Sequence, residues 1–152
     1  MQKFYKIPDN VGAMADIIGN NSAKFSKADP VTIDSAGNLI VATSSGEKIL
    51  GFCLEDVTMD SDNETVDKYK PSYIPAYPGV LMVYDSDQDA VLADDIGEYA
   101  DVTGTTGAIY MNLTAGSTGQ FLVRSKDPYE EGDDSVVVVE AAEPQTFAFA
   151  QS

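Results

Sequence analysis

The feature that most limits what this chain can become is the regular punctuation of short β-type runs by turn residues. Residues 27–57, KADPVTIDSAGNLIVATSSGEKILGFCLEDV, show it most clearly. Val31 and Ile33, then Leu39 and Val41, alternate with small or polar residues, which is the period of a half-buried strand. Ser35-Ala36-Gly37-Asn38 supplies the Gly and Asn that a tight reversal needs, and Ser44-Ser45-Gly46-Glu47 supplies a second turn. Beyond it, Ile49–Leu54 is a mostly apolar run of strand length, too short to read as a helix. The stretch predicts a meander of three strands. It carries no catalytic group: Cys53 is expected to be a buried structural thiol, and Asp29, Asp34 and Glu47 are expected to be solvated.

The same signals recur downstream. Val80–Tyr84, Ala90–Ala93, Gly97–Val102, Ala108–Leu113, Phe121–Arg124, Ser135–Glu140 and Thr146–Phe149 all read as strands, with Ile109, Met111 and Leu113 on one face and an unbroken β-branched run at Val136–Val139. Gly, Ser, Asn and Asp separate them. Roughly nine or ten short strands at this spacing, with no alternation of strands and helices, predict an all-β fold, a compact antiparallel barrel or sandwich.

Residues 1–26 differ from the β domain of residues 27–152 and read as an extended N-terminal arm. Phe4, Tyr5 and Ile7 precede Pro8, and the stretch Val11–Ile18 has room for one or two helical turns, too few to be stable alone. An arm with Phe4, Tyr5, Ile7, Met14 and Ile17 is more apolar than a solvated tail, so it is expected to pack on its own domain or on a neighbour. The segment Tyr69–Gly79 holds three prolines and three tyrosines. Proline fixes φ and donates no hydrogen bond, which puts the segment at a sheet edge or outside the sheet. From there Tyr69, Tyr73 and Tyr77 either meet a partner or cover the rim of the core. These eight side chains are the candidate contact residues; deleting residues 1–20, or replacing Tyr73 and Tyr77, is expected to weaken attachment and leave the domain folded.

Charge and composition narrow the function. With 25 acidic and 9 basic residues the formal charge is −16, which argues against binding a phosphate backbone. Histidine is absent and cysteine occurs once, removing the commonest general base, the commonest transition-metal ligand and any multi-cysteine zinc site. The amino terminus does not read as a signal peptide and no run is long enough to span a membrane, so a soluble protein is expected. Asp85, Asp87 and Asp89 alternate as in a calcium loop, but Ala90 and Ile96 stand where an EF-hand needs Gly and Glu. Asp60, Asp62 and Glu64 repeat the alternation with the same shortfall, and both clusters read as solvated loop acids. There is no G-x-S-x-G or S-x-x-K motif, Gly104–Gly107 lacks the ending of a phosphate-binding loop, and no acid pair stands beside an aromatic platform. No enzyme, cofactor or metal is expected.

The opening "DPV…G…A", the "ILGF" strand, "VYDSDQDAVLADD", "TGTTGAIYMNL" and the closing "RSKDP…VVVVE" together resemble the small β-rich decoration, or cement, proteins of tailed-bacteriophage heads, over about three quarters of the chain. The resemblance implies a structural virion protein, assembled in the host cytoplasm, that binds a lattice of the major capsid protein from outside and stiffens the shell. It also implies a small homo-oligomer, a trimer being the common form, with no catalytic residues, nucleic acid or membrane involved. The alternative from another class is an acidic β-rich surface or fibre module that binds calcium or carbohydrate.

Overall fold

The structure, a computed structural model, describes residues 2–59, 69–87, 91, 93–116, 119–126, 128 and 135–142. In chain order the strands are β1 (Gln2–Lys6), β2 (Lys24–Phe25), β3 (Pro30–Ile33), β4 (Leu39–Val41), β5 (Gly51–Cys53), β6 (Val57–Thr58), β7 (Tyr73–Pro75), β8 (Leu81–Ser86), β9 (Tyr99–Thr105), β10 (Ala108–Gly116), β11 (Phe121–Lys126) and β12 (Val136–Ala141). The fold is all-β, built on a closed five-stranded barrel with additional strands.

The barrel runs β8-β10-β9-β11-β12 and closes where β12 pairs with β8. Alternation along its strands sets inside from outside. Met82, Tyr84, Val137 and Val139 join the main core, while Val83, Val136 and Val138 form a separate buried cluster on the opposite face of the same strand pair. An all-valine run suits such a position, because a β-branched side chain packs well on either face of a pleat. The seam between β8 and β10 is parallel and short, pairing Tyr110 with Asp85 and Met111 with Ser86. On the same edge of β8, β1 pairs antiparallel from Gln2↔Tyr84 to Lys6↔Leu81. β1 therefore fills the stretch of edge that β10 leaves, which protects backbone groups that would otherwise template pairing with another chain.

The second sheet has the order β4-β3-β5-β7, and here the expected meander is corrected. β3 and β4 form a hairpin, but β5 joins the other edge of β3, with Val31 facing both Val41 and Gly51. The connecting loop bends toward the barrel instead of reversing in place. Ala42 and Ile49 at its two ends are buried in the main core. The Glu47 carboxylate accepts from the backbone N–H groups of Thr43 and Ser44 and from the Ser44 hydroxyl, and the Gln120 amide donates to the carbonyls of Ser44 and Glu47.

The two faces of this sheet serve two clusters. Phe52 and Ile74 point into the main core, whereas Val31, Leu39, Cys53 and Tyr73 face Phe25, Leu50 and Met59 beneath the β2–β6 pair. β7 is the edge strand, which suits Pro75 within it and Pro71 and Pro78 on either side. Its approach to β5 requires glycine at position 51, where a Cβ would sit 2.3 Å from the Ile74 carbonyl oxygen. A chain of ring contacts, Phe4 on Phe52, Phe52 on Phe121 and Phe121 on Tyr84, at centroid distances of 6.5, 6.1 and 6.3 Å, joins β1, the sheet and the barrel.

Elsewhere the expectations divide. Residues 11–18 lie extended instead of helical, with a bridge from Met14 to Tyr73, and Gly12 within the run disfavours helix. In the expected strand Ala90–Ala93, Val91 lies in no strand and Ala93–Asp95 forms a 3-10 turn. Ala90, Leu92 and the expected strand Thr146–Phe149 lie outside the described residues.

Candidate functional surface

The chain's chemistry-bearing side chains are placed first by what they brace. Asp29, expected at the surface, is fully buried. Its carboxylate accepts from the Gln2 side chain at 2.7 Å, the Ser26 N–H at 2.8 Å, the Thr106 hydroxyl at 2.5 Å and the Gly107 N–H at 2.9 Å. Four donors fill the acceptor sites of one carboxylate, which offsets the cost of burying it. The neighbouring Ala28 holds a left-handed φ of 73°. It is fixed there by its N–H to the Cys53 carbonyl at 2.7 Å and by the Tyr84 hydroxyl donating to its own carbonyl at 2.6 Å. Gln2 completes the node from the β1 side, donating also to the Lys27 carbonyl and accepting from the Ile109 N–H at 3.0 Å. Sequence reading missed this node because its members lie up to 107 positions apart.

Gln120 plays the equivalent part at the other end of the barrel. Buried to 1% exposure, it accepts from the Val102 N–H at 2.8 Å while its amide holds the Ser44–Glu47 loop. Asp34 caps its own hairpin, accepting from the N–H groups of Ala36 and Asn38 and from the Asn20 amide. The Asn38 and Asn20 donations hold its carboxyl below the usual range.

Glu55 is the hub of a third cluster. It receives the Tyr69 hydroxyl, and the Ser72 N–H and hydroxyl each at 2.8 Å. Burial alone would raise its carboxyl, but these donors outweigh burial and hold it below its ordinary value. The same hydrogen bond, with burial, pushes the Tyr69 phenol up to about 12. Cys53 is buried, and desolvation pushes its thiol up to about 11, so it behaves as a packing residue and not as a nucleophile.

The candidate contact residues separate into two groups. Tyr73 is corrected to a core residue: it is 2% exposed, and its hydroxyl donates to Asp16 at 2.7 Å, because β7 turns that side chain under the sheet. Phe4, Ile17 and Tyr69 are partly buried against the two clusters. Tyr5, Ile7, Met14 and Tyr77 are 37–45% exposed. All four lie on one ribbon, because residues 2–14 run beside residues 73–84: Lys6 pairs with Leu81, Pro8 abuts Gly79, and Met14 bridges Tyr73. The turn that carries Tyr77 is held by Val80 N–H to its carbonyl and by Gly79 N–H to Glu140 at 2.7 Å, and Glu140 in turn pairs with Arg124 at 3.1 Å.

Of the two acidic alternations, Asp87 accepts from the Leu113 N–H and braces the end of β10, while Asp89, Asp60, Asp62 and Glu64 lie outside the described residues. Among the described residues no group of three or more acidic or cysteine side chains is arranged to hold a metal ion. No family model matches the chain, and no curated protein matches it.

Proposed function

We propose that this chain is a structural virion protein, a decoration protein that binds the outer surface of a tailed-phage head and stiffens the shell. The observation that carries the reading is the concentration of exposed apolar side chains on one ribbon. Among the described residues, four of the six exposed large apolar side chains, Tyr5, Ile7, Met14 and Tyr77, lie there. Clustered exposure of this kind marks a contact site more often than scattered single residues do. The buried carboxylate of Asp29 and the amide of Gln120 are committed to bracing the scaffold, and a rigid scaffold with a preordered contact strip loses little entropy on docking. In this reading the partner is the major capsid protein lattice. Residues 1–26 act as an arm that lies along its own domain and presents its outer side chains, and the protein works as a small homo-oligomer, a trimer in the simplest case, assembled in the host cytoplasm.

The test is binding of Ile7→Asp and Tyr77→Asp to heads of the phage that encodes the chain, followed by gradient cosedimentation. Both variants are expected to melt within a few degrees of the parent and to lose attachment by at least about tenfold, as for a truncated contact hot spot. Undiminished attachment would place the contact elsewhere.

A further inference from the structure

Two peripheral pieces of the chain meet at the buried Asp29. One is β1, an edge strand on which Lys3, Tyr5 and Lys6 are exposed. The other is the tip of the β9–β10 hairpin, where Thr105 pairs with Ala108 across Thr106 and Gly107, and Thr105, Gly107 and Ala108 are exposed. Gly107 makes the turn with a φ of 74°. Neither piece buries much of itself, yet both reach a carboxylate that is fully buried.

The base of this node travels with neither piece. Ala28 N–H donates to the Cys53 carbonyl at 2.7 Å, Cys53 N–H to the Asp29 carbonyl at 2.8 Å, and the Tyr84 hydroxyl to the Ala28 carbonyl at 2.6 Å, which fastens the backbone at Ala28 and Asp29 to β5 and β8. Onto this base the arm lays Gln2. Its amide donates to Asp29 and to the Lys27 carbonyl, and its Oε1 accepts from the Ile109 N–H in the strand that leaves the tip. The tip lays down the Thr106 hydroxyl and the Gly107 N–H, with Ser26 Oγ 3.1 Å from the Thr106 hydroxyl. Lifting the arm takes a donor from Asp29, strips the Ile109 N–H of its acceptor and wets the carboxylate on which the tip depends. Lifting the tip wets the same carboxylate under Gln2. A hydrogen bond in a dry site is stronger than in water, so losing either cover weakens the bonds of the other.

We infer that β1 and the tip of the β9–β10 hairpin form one cooperative latch: the arm and residues 104–109 open together, as a unit smaller than the barrel, with Gln2 on Asp29 as its clasp. Units of this kind open locally, below the free energy of global unfolding. The latch bears on the ribbon because β1 carries Tyr5 and leads directly into Ile7. Only a shut latch sets these side chains beside Tyr77. A partner that holds the ribbon then holds the tip as well, and loosening the tip lowers the fraction of chains ready to bind. This consequence rests on the docking role proposed above, whereas the latch is tested on the isolated chain, so the two can fail separately.

Amide hydrogen exchange of the full chain at increasing urea reads the latch. In the parent, Lys3 and Lys6 of β1 and Gly107 and Ile109 of the tip should share one opening constant and one shallow urea dependence. That constant should be at least about tenfold larger than at Val102, whose N–H is bonded to Gln120 at the other end of the same hairpin. Phe4 lies outside the clasp, with its ring on Phe52, so Phe4→Ala loosens β1 without removing a clasp bond; Phe4→Leu serves where thermal melts show the first variant unfolded. The variant should raise opening at β1, Gly107 and Ile109 by one common factor of about three or more. Thr106→Ala, at the tip, should raise opening at Lys3 and Lys6 in the same way. A tip that keeps its parent constant when β1 loosens, a β1 that ignores Thr106→Ala, or an arm and tip that open only together with Val102 would each overturn the inference.

Discussion

At the residue scale the fold depends on a few buried polar groups more than on its surface acids. Asp29 is the clearest case, since its carboxylate collects donors from β1, the turn before β3 and the β9–β10 hairpin. Asp29→Ala removes the one carboxylate that ties Gln2, Ser26, Thr106 and Gly107 together at a fully buried position and should cost roughly 1–3 kcal/mol in urea unfolding. Asp29→Asn should cost nearly as much, because one oxygen becomes a donor facing donors. A loss below about 1 kcal/mol in both would show that the node adds little. Titration makes a separate prediction. Burial raises the Cys53 thiol from 9.0 to about 11, and the Glu55 hydrogen bond raises Tyr69 from 10.0 to about 12. In each case the folded chain keeps a proton that the unfolded chain has lost. Their contribution is full below pH 9.0 and falls as pH rises toward 11 and then 12. Glu55 has the opposite sign: its contribution is full near neutral pH and is lost as pH falls below 4.5 toward its lowered value. Tyr69→Phe should therefore flatten the alkaline decline above pH 10.0 and shrink the acid step together. Urea midpoints measured across pH would show whether the two move as one.

At the element scale, the turns and most of the longer strands were legible in the sequence, while β1, β2, β6 and the strand partners were not. The Gly37-Asn38 turn follows β3 where expected, and the period-two runs at Val31–Ile33 and Ile109–Leu113 and the unbroken β-branched run at Val136–Val139 all became strands. Local chemistry decides a reversal; which edge the returning strand takes depends on what the loop must bury. Ala42, Ile49 and the Gln120 bonds drew the β4–β5 loop to the barrel and sent β5 to the far edge of β3, and nothing within residues 39–53 announces Gln120. Tyr73 misled for a related reason: prolines correctly marked an edge strand, but an edge strand still has one face under the sheet. The close pairing of β5 and β7 predicts that Gly51→Ala costs about 2 kcal/mol or more, since the new methyl group meets the Ile74 backbone. β1 was read as a removable arm, yet it covers the edge of β8 and supplies Gln2 and Phe4. Deleting residues 1–20 should lower the melting temperature by several degrees instead of leaving the domain intact, as expected for the loss of about 2 kcal/mol or more of packing and pairing. An unchanged melt would return β1 to the status of a detachable arm.

At the scale of the whole molecule, the barrel and the second sheet share one core, and the described polar clusters at Asp29, Gln120 and Glu55 all work as braces. What this scaffold offers outward is a ribbon of apolar side chains set into a surface that is otherwise strongly acidic. The proposed decoration role asks for no more than such a strip with a rigid scaffold behind it. Such a role predicts salt-tolerant attachment to a lattice, because burial of apolar area is not screened while long-range charge is. In the proposed role the ribbon of residues 5–14 and 77–80 is the surface presented to a phage shell. Hydrogen exchange of the full chain, free and bound to heads of the phage that encodes it, tests this most directly. Added protection is expected at residues 5–14 and 77–80 in the bound chain. Protection confined to other segments, or a chain that does not bind heads at all, would contradict it.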